Sequence, residues 1–220
     1  GGLSWDDVIK VEVSGYGASA NAVINGQADA SMGSSVSSIF NKTNASPRGL
    51  FFPPMPHNDE AGWKRAIAVA PHFAKAVVTN FIGSSDSNKS FEGMNYPYPI
   101  FVTMEKTSED LSYHLTEAVM ENYDQFKDSG PGMDGYQLSN QNFSWIFPYH
   151  PGAVKYYKKK GVWTSKHDKH NANLIKRQDV LAKAWQKTLK VNLSGDAFKK
   201  KWLENRASAL KAAGMPNAYN

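Results

Sequence analysis

The 220-residue sequence contains no cysteine. Disulfide bonds and thiolate metal sites are therefore excluded. A cysteine-free chain is compatible with an oxidising compartment such as the periplasm, although it does not demonstrate one. The sequence also has no apolar run near the roughly 20 residues that a membrane-spanning helix needs, and no signal peptide. Export would therefore require a signal sequence upstream of Gly1.

Catalytic signatures are missing as well. The sequence has no Gly-x-Ser-x-Gly, no phosphate-binding Gly-Lys-Ser/Thr and no carboxylate pair in a convincing context. His167 and His170 are three residues apart and can share a helix face, but no third ligand accompanies them. An exposed polar face is the better interpretation of this pair. We therefore expect a protein that is not an enzyme and that binds no metal or cofactor.

The chain carries a net charge of +5, and many of its lysines are concentrated in two runs. Four lysines lie within residues 155–160 and three within residues 199–201. Such runs can form a nucleic-acid surface, or they can be solvated helix faces. Nearby aromatic residues have the spacing of a helical core rather than of an exposed stacking row. We therefore expect solvated faces and no nucleic-acid partner.

Apolar periodicity predicts an α/β first half. Residues 8–13 alternate like a strand, residues 18–25 resemble a short helix that ends at Gly26, and residues 28–32 form a second strand pattern. This strand–turn–helix–strand order predicts a parallel sheet. Further strands are predicted at 49–52, 76–82 and 99–104, with a polar loop at 83–93 and a short helix between 33 and 48.

The second half is predicted to be helical. Helices are predicted at 59–73, 107–126, 151–160 and 166–190, with a last helix that begins near Ser194. The last two helices can pair as an antiparallel hairpin, with Trp185 and Trp202 on their apolar faces. We predict that this hairpin is a structural brace.

Residues 147–161 combine several helix signals in one short segment, Phe-Pro-Tyr-His-Pro-Gly-Ala-Val-Lys-Tyr-Tyr-Lys-Lys-Lys-Gly. Pro151 suits a first helical turn, the three lysines suit the negative helix end, and Gly161 suits a left-handed stop. The segment resembles the His-Pro-Gly-Ala…Tyr-Tyr…Gly segment of TAXI-type receptors, the extracytoplasmic solute-binding proteins of TRAP transporters. Three further blocks resemble that family in the same order, at residues 2–8, 18–30 and 96–118.

The resemblance implies an α/β, periplasmic-binding-protein-like (type II) bilobal fold with an incomplete N-terminal lobe and a C-terminal helical extension. It places the second lobe in residues 1–98, the return strand and helices of the first lobe in residues 99–164, and a helical hairpin extension in residues 165–220. The glycine-rich loops with which family members begin have no counterpart here. We therefore expect this chain to be the C-terminal two-thirds of a receptor.

The resemblance also implies a function. A TAXI receptor of the periplasm captures a small organic acid or amino acid between two lobes and delivers it to a TRAP membrane permease. The identity of the solute, its anionic or zwitterionic character and the oligomeric state of the protein stay open. The alternative is a bilobal enzyme or a ligand-sensing regulatory domain on the same architecture.

The strongest candidate site is Ser14-Gly-Tyr-Gly-Ala-Ser19, between a predicted strand and a predicted helix. In open α/β sheets this edge faces the ligand crevice, and unpaired amides at a helix start favour a carboxylate. An ordinary βα turn is the alternative interpretation, and the resemblance favours a cleft lining. The predicted substrate-binding residues in this segment are Gly15, Tyr16, Gly17 and Ser19, with Asn21 as a further donor.

Two other segments are weaker candidates. Ser34 and Ser35 follow the second predicted strand and offer hydroxyl groups, although a flexible loop is an equal alternative. Tyr96 and Tyr98 lie in a segment that prolines hold extended, and their rings can pack against a small ligand. For these tyrosines, a hinge strand that fills a lobe interface is the alternative.

Overall fold

A computed structural model describes residues 2–96 and 100–218 of the chain. The helices are α1 (Tyr16–Ile24), α2 (Phe40–Asn44), α3 (Glu60–Val69), α4 (Glu109–Glu121), α5 (Tyr123–Phe126), α6 (Pro151–Lys159), α7 (Ser165–Leu189) and α8 (Gly195–Ala212). The strands are β1 (Ala74–Val78) and β2 (Phe91–Asn95), and short 3-10 helices occur at Trp5–Asp7, Met133–Tyr136 and Leu138–Asn140.

The chain divides into two compact units. The first consists of Gly1–Ala66, Phe73–Tyr96 and Asp128–Asp134, and the second consists of Ile67–His72, Pro97–Lys127 and Gly135–Asn220. Each unit has its own packing. The assignment of chain segments to the lobes of a binding protein stays a prediction, as does the type II fold.

The sheet of the first unit differs from the predicted parallel sheet. Strands β1 and β2 form a two-stranded antiparallel hairpin in which Ala74 faces Asn95 and Val78 faces Phe91. Strand β2 occupies the end of the segment that was predicted to be a polar loop. Its residues alternate only weakly in polarity, and pairing with β1 decides its conformation. The parallel arrangement predicted for this part of the chain is therefore wrong in the described residues.

Four predicted strands are not formed. Residues 8–13, 28–32, 49–52 and 100–104 are irregular, and residue 99 lies outside the described residues. A strand needs a hydrogen-bonded neighbour, and within residues 2–96 and 100–218 these segments have none. Several of their apolar side chains are exposed, and Ile9 retains 93% of its accessible surface. The apolar patterns of these segments therefore did not predict paired strands.

Aromatic side chains connect the elements of the first unit. Phe40 packs edge-to-face on Tyr16 and on Phe52, at centroid distances of 6.2 and 6.1 Å. Phe52 in turn stacks on Phe91 of β2 at 5.7 Å. Edge-to-face and offset pairs of this kind add to the apolar burial of the rings. The start of α1 is therefore fixed to the β hairpin through a row of rings.

Helices α4 and α6 form the centre of the second unit, and their ends follow the predicted signals. Ser108 caps α4 by accepting a hydrogen bond from the Leu111 amide at 3.2 Å, one residue after the predicted Thr107. His150 caps α6: its Nδ1 accepts from the Gly152 amide, and its Nε2 bonds the Thr107 carbonyl at 3.1 Å. Gly161 ends α6 with φ of 71°, which confirms the predicted left-handed stop.

A buried aromatic cluster covers the inner face of α6. Phe143 lies 4.8 Å from the Tyr157 ring and 5.3 Å from the Trp163 ring, and Tyr156 is almost completely buried against Tyr113. Tyr156 donates its hydroxyl hydrogen bond to Glu121 at 2.9 Å. The polar end of this buried ring is therefore satisfied.

Helix α6 contains three lysines, and a fourth, Lys160, is its C-terminal cap residue. Each of the four pairs with a carboxylate. Lys155 reaches Glu109, Lys158 reaches Asp168, Lys159 reaches Glu117 and Lys160 reaches Glu121, at N–O distances of 3.3, 2.9, 3.3 and 2.5 Å. The hydrogen bonds from Tyr113 and Lys159 lower the pKa of Glu117, and those from Lys160 and Tyr156 lower the pKa of Glu121. The first lysine run is therefore a structural set of ion pairs on a solvated face.

Helices α7 and α8 form the predicted antiparallel hairpin. Thr188 is fully buried between them, where it donates to the Ala184 carbonyl and accepts from the Asn205 side chain at 2.9 Å. Trp185 packs on Trp202 at a centroid distance of 5.0 Å, but more than a third of its surface stays exposed. The hairpin is confirmed, and Trp185, which was predicted to lie on an apolar helix face, is only partly buried. In the described part of the chain, no helix combines the length and the apolarity that crossing a bilayer requires.

Candidate functional site

The start of α1 leaves backbone donors open. Gly15 is the N-cap residue and supplies no side chain to accept hydrogen bonds from the first-turn amides. A β-carbon placed on Gly15 or Gly17 would meet no atom within 4 Å, so a small molecule can approach the backbone there. A helix N-terminus carries a partial positive charge, which favours an anionic group. This end of α1 is thus suited to bind a carboxylate.

The sequence predicted that this turn follows a strand at the edge of a parallel sheet. That prediction is wrong in the described residues, because the segment before α1 is not a strand. Gly15 is also fully extended, with φ of 167°, and Gly17 is helical. Neither glycine therefore adopts a left-handed backbone conformation. What matters at these two positions is the missing side chain, which keeps the first-turn amides accessible.

Tyr16 brings the two predicted serine-containing segments together. Its hydroxyl oxygen accepts a hydrogen bond from the Ser34 amide at 3.0 Å, and its ring packs against Phe40. A β-carbon on Gly33 would overlap both the Tyr16 hydroxyl and the Phe40 ring, which it would approach to 2.5 Å. Gly33 is therefore required for this close approach. We call the contact of residues 15–19 with residues 33–35 the Tyr16 junction.

The other predicted residues contribute unequally to the Tyr16 junction. Ser19 donates its hydroxyl hydrogen bond to the Tyr16 carbonyl at 2.7 Å, and Ser35 donates to the Asn80 carbonyl at 3.2 Å. Both hydroxyls are therefore engaged in holding the backbone. The Ser34 hydroxyl has no hydrogen-bond partner within residues 2–96 and 100–218, and the Asn21 side chain is exposed on α1. These two groups are the donors that a bound molecule could use.

The predicted tyrosines of the third segment lie elsewhere or cannot be placed. Tyr96 packs edge-to-face on Phe73 at a centroid distance of 6.3 Å, just beyond the end of β2. Five residues of extended chain separate it from Phe91, which corresponds to about 17 Å. Tyr98 lies outside the described residues. The structure therefore groups Tyr96 with the Phe73 end of the hairpin, whereas Phe91 and Phe52 connect the other end to the Tyr16 junction.

Sequence reasoning missed two residues that shape the Tyr16 junction. Gly33 was grouped with the flanking serines as a polar loop, and Phe40 was part of an apolar stretch in a predicted short helix. A glycine close to a buried aromatic residue is a signal for close packing, but only the fold shows that Tyr16 is the side chain that fills the space.

Comparison with known proteins assigns the chain to a family. A family model described as the NMT1-like family matches residues 1–161. The chain belongs to the NMT1-like family. This family is related to periplasmic solute-binding proteins. No curated protein and no solved structure gives a significant match.

The part of the chain that matches the NMT1-like family includes the Tyr16 junction and ends at Gly161, the residue that terminates α6. The α7–α8 hairpin lies beyond it. The family match confirms the coarser part of the resemblance seen in the sequence, namely a relationship to solute-binding proteins. It does not distinguish TAXI receptors from other solute-binding proteins.

This NMT1-like protein also has a recess in its second unit, which is called the helical unit below. The recess has a volume of about 430 Å³ and is lined by Leu138, Ser139, Gln141, Asn142, Phe143, Val162 and His167. His167 Nδ1 accepts a hydrogen bond from the Thr164 amide at 3.1 Å, which caps α7. The recess is wide open, and the first turn of α7, which contributes His167 to its lining, is already capped within the protein. It is a poorer match for an acidic solute than the Tyr16 junction.

Proposed function

We propose that this NMT1-like protein is a non-enzymatic, extracytoplasmic receptor that binds a small organic acid or amino acid. The single observation that carries the proposal is the Tyr16 junction, in which an uncapped helix start and a serine-containing loop meet at one tyrosine. The family match supports a solute-binding role in general. The two supports are independent, because one is geometric and the other is a sequence relationship.

The chemistry of the Tyr16 junction favours a carboxylate. Three first-turn amides can donate to it, and the positive end of the α1 dipole adds a favourable interaction. The unpartnered Ser34 hydroxyl can donate to a second oxygen atom, and the Tyr16 ring provides an apolar wall beside it. These groups bind and orient an acid, and they require no metal ion.

The finer assignment rests on the four segments that resemble TAXI receptors. On that basis we propose that the protein works in the periplasm, closes two lobes of a type II fold around its solute and presents the closed form to a TRAP permease. Hinge closure of this kind would remove the solute from water, so that its polar groups are hydrogen-bonded by protein from both sides. The transporter would supply the energy of uptake.

Titration calorimetry with amino acids and dicarboxylates tests the proposal on the full-length protein and on two variants of it. Tyr16→Ala should weaken binding at least about tenfold, because the Ser34 amide loses its partner and the wall is removed. Its unfolding temperature should change little, since Tyr16 is 47% exposed. Tyr96→Ala is the matched control, because Tyr96 has a similar exposure of 36% and packs at the other end of the hairpin.

The two variants give distinct outcomes. Weakening by Tyr16→Ala alone supports the Tyr16 junction as the site. Equal weakening by both variants would extend the site to Tyr96, as the sequence first suggested. If neither variant changes the affinity, the solute binds elsewhere, and if no acid of the panel binds, the proposed function is wrong.

A further inference from the structure

The tip of the α7–α8 hairpin, residues 183–204, combines exposed apolar side chains with unpaired lysines. The tip consists of the last turns of α7, the connecting loop and the first turns of α8. Trp185, Leu189 and Leu193 keep 37%, 50% and 45% of their surface exposed. Three such residues within nine positions, beside a cluster of lysines, make the tip a candidate interaction surface.

The charge of the hairpin tip is strongly positive. It contains six lysines, at positions 183, 187, 190, 199, 200 and 201, and two acidic residues, Asp196 and Glu204, which gives 6 − 2 = +4. Lys201 pairs with Glu204 at 3.2 Å. In the described part of the chain, no carboxylate lies within 4.0 Å of the other five ammonium groups.

The lysine run of α6 differs from the lysines of the hairpin tip. Every lysine of the α6 run has a carboxylate partner, so that run is accounted for by the stability of the helical unit. The lysines of the hairpin tip have no such internal role, with the exception of Lys201. Their charge is available to an external anionic partner.

The aromatic residues at the hairpin tip are held in fixed positions. The Trp185 ring packs at 5.5 Å on Phe198 and at 5.0 Å on Trp202, with interplanar angles of 90° and 89°. Both neighbours are partly buried, and Trp185 keeps its remaining surface toward solvent. Tryptophan in this situation has an apolar body and one polar N–H group, which suits the boundary between lipid headgroups and acyl chains.

We propose that the tip of the α7–α8 hairpin binds the surface of an anionic lipid bilayer. The lysines interact with the negative headgroups, while Leu189, Leu193 and the exposed part of Trp185 enter the headgroup–acyl boundary. The hairpin lies on the surface rather than across the membrane, because its helices are too polar to span it. This inference does not depend on the proposed solute binding, because the hairpin tip and the Tyr16 junction share no residue.

A lipid surface fits the hairpin tip better than a nucleic acid does. Exposed leucines have no favourable contact with phosphates or base edges, but they gain from burial at a bilayer boundary. The tip contains no arginine, the residue that most often reads bases and phosphates. Its tryptophans are packed against one another edge-to-face, so they do not form an open row on which successive bases could stack.

Vesicle co-sedimentation of the full chain tests the proposal. Vesicles of phosphatidylcholine containing about one-third phosphatidylglycerol should bind the protein, whereas pure phosphatidylcholine vesicles should bind it at least about tenfold more weakly. Raising the salt concentration should weaken binding to the anionic vesicles, because screening shortens the reach of the lysine charges.

Two double variants of equal charge change separate the hairpin tip from the net charge of the chain. Lys199→Gln with Lys200→Gln should reduce the vesicle affinity about tenfold, since each lysine near an anionic surface contributes to binding. Lys166→Gln with Lys169→Gln is the matched control, because these exposed lysines lie at the other end of α7, about 30 Å away along the helix. The control should bind like the original protein.

The absence of cysteine allows a direct test of insertion. Asn192→Cys in the loop of the hairpin tip and Lys166→Cys at the far end of α7 can each carry one environment-sensitive fluorophore. A blue shift on anionic vesicles at position 192 but not at position 166 is the expected result. Equal shifts at both positions, equal losses in the two double variants, or binding to duplex DNA that is tighter than vesicle binding would each overturn the proposal.

Discussion

Helix α6 buries Tyr156 and Tyr157 almost completely, whereas Ile9 in the equally apolar segment 8–13 is 93% exposed. Both segments are short, and both have a regular apolar pattern. The helix satisfies its backbone groups internally and has a cap at each end, so it needs a neighbour only for its apolar face. A strand needs a neighbour for its backbone as well, and within the described residues segment 8–13 pairs with no other strand.

This difference indicates that the two units have different sources of order. The helical unit combines a buried aromatic cluster, capped helices and a ladder of ion pairs. The first unit relies on one β hairpin and a row of edge-to-face rings to position its irregular segments. We expect the same substitution to reduce stability strongly in the aromatic cluster of the helical unit. In the exposed segments of the first unit it should reduce stability only slightly.

The largest expected effect comes from Phe143→Ala compared with Phe51→Ala. Phe143 is buried among Tyr149, Tyr157 and Trp163, so its removal should lower the free energy of unfolding by about 3–5 kcal/mol. Phe51 is 78% exposed, and its removal should cost less than about 0.5 kcal/mol. Chemical denaturation followed by circular dichroism measures both values. Similar losses in the two variants would show that residue 51 has a partner in solution.

A smaller effect is expected from Gly152→Ala, which tests the contact of α6 with α4. A β-carbon at position 152 would lie 2.6 Å from the Tyr113 amide nitrogen and would also overlap the Glu109 carbonyl oxygen. Because both are backbone atoms, the helices must move apart, at a cost of about 2 kcal/mol. Gly130→Ala is the control, since a β-carbon there meets nothing within 4 Å. An unchanged stability of Gly152→Ala would mean that the two helices are less closely packed than described.

The smallest expected effect is the pH dependence of stability that the α4–α6 ion pairs contribute. Hydrogen bonds from Tyr113 and Lys159 lower the pKa of Glu117, and those from Lys160 and Tyr156 lower the pKa of Glu121. A carboxyl group with a lowered pKa in the folded state stabilises the protein above its ordinary pKa near 4.5. That stabilisation is lost as the pH falls through the lowered value.

The double variant Glu117→Gln with Glu121→Gln should therefore flatten the dependence of the unfolding temperature on pH below about 4.5. Glu105→Gln removes a carboxylate that is exposed and should leave the curve unchanged. Thermal unfolding at a series of pH values between neutrality and strong acid measures the effect. Parallel curves for the original protein and the double variant would show that these ion pairs contribute nothing to stability.

The helices were largely predictable, and the candidate site was predictable in part. Helix α6, its proline start and its glycine stop are encoded by neighbours in the sequence, and so are the helices of the α7–α8 hairpin. The sequence also selected Tyr16 and Ser34, but for separate sites. Their contact depends on residues 18 positions apart and on the space left by Gly33, which no local pattern contains.

The sequence by itself determined where most helices lie and which of their faces are apolar, because a helix forms its hydrogen bonds within a few residues. It also determined membership in the NMT1-like family through residues 1–161. Only the tertiary structure decided which extended segments pair, because the hydrogen bonds of a strand come from another part of the chain. It likewise decided which lysines are neutralised, since a carboxylate partner such as Glu121 lies 39 positions from Lys160 in the sequence.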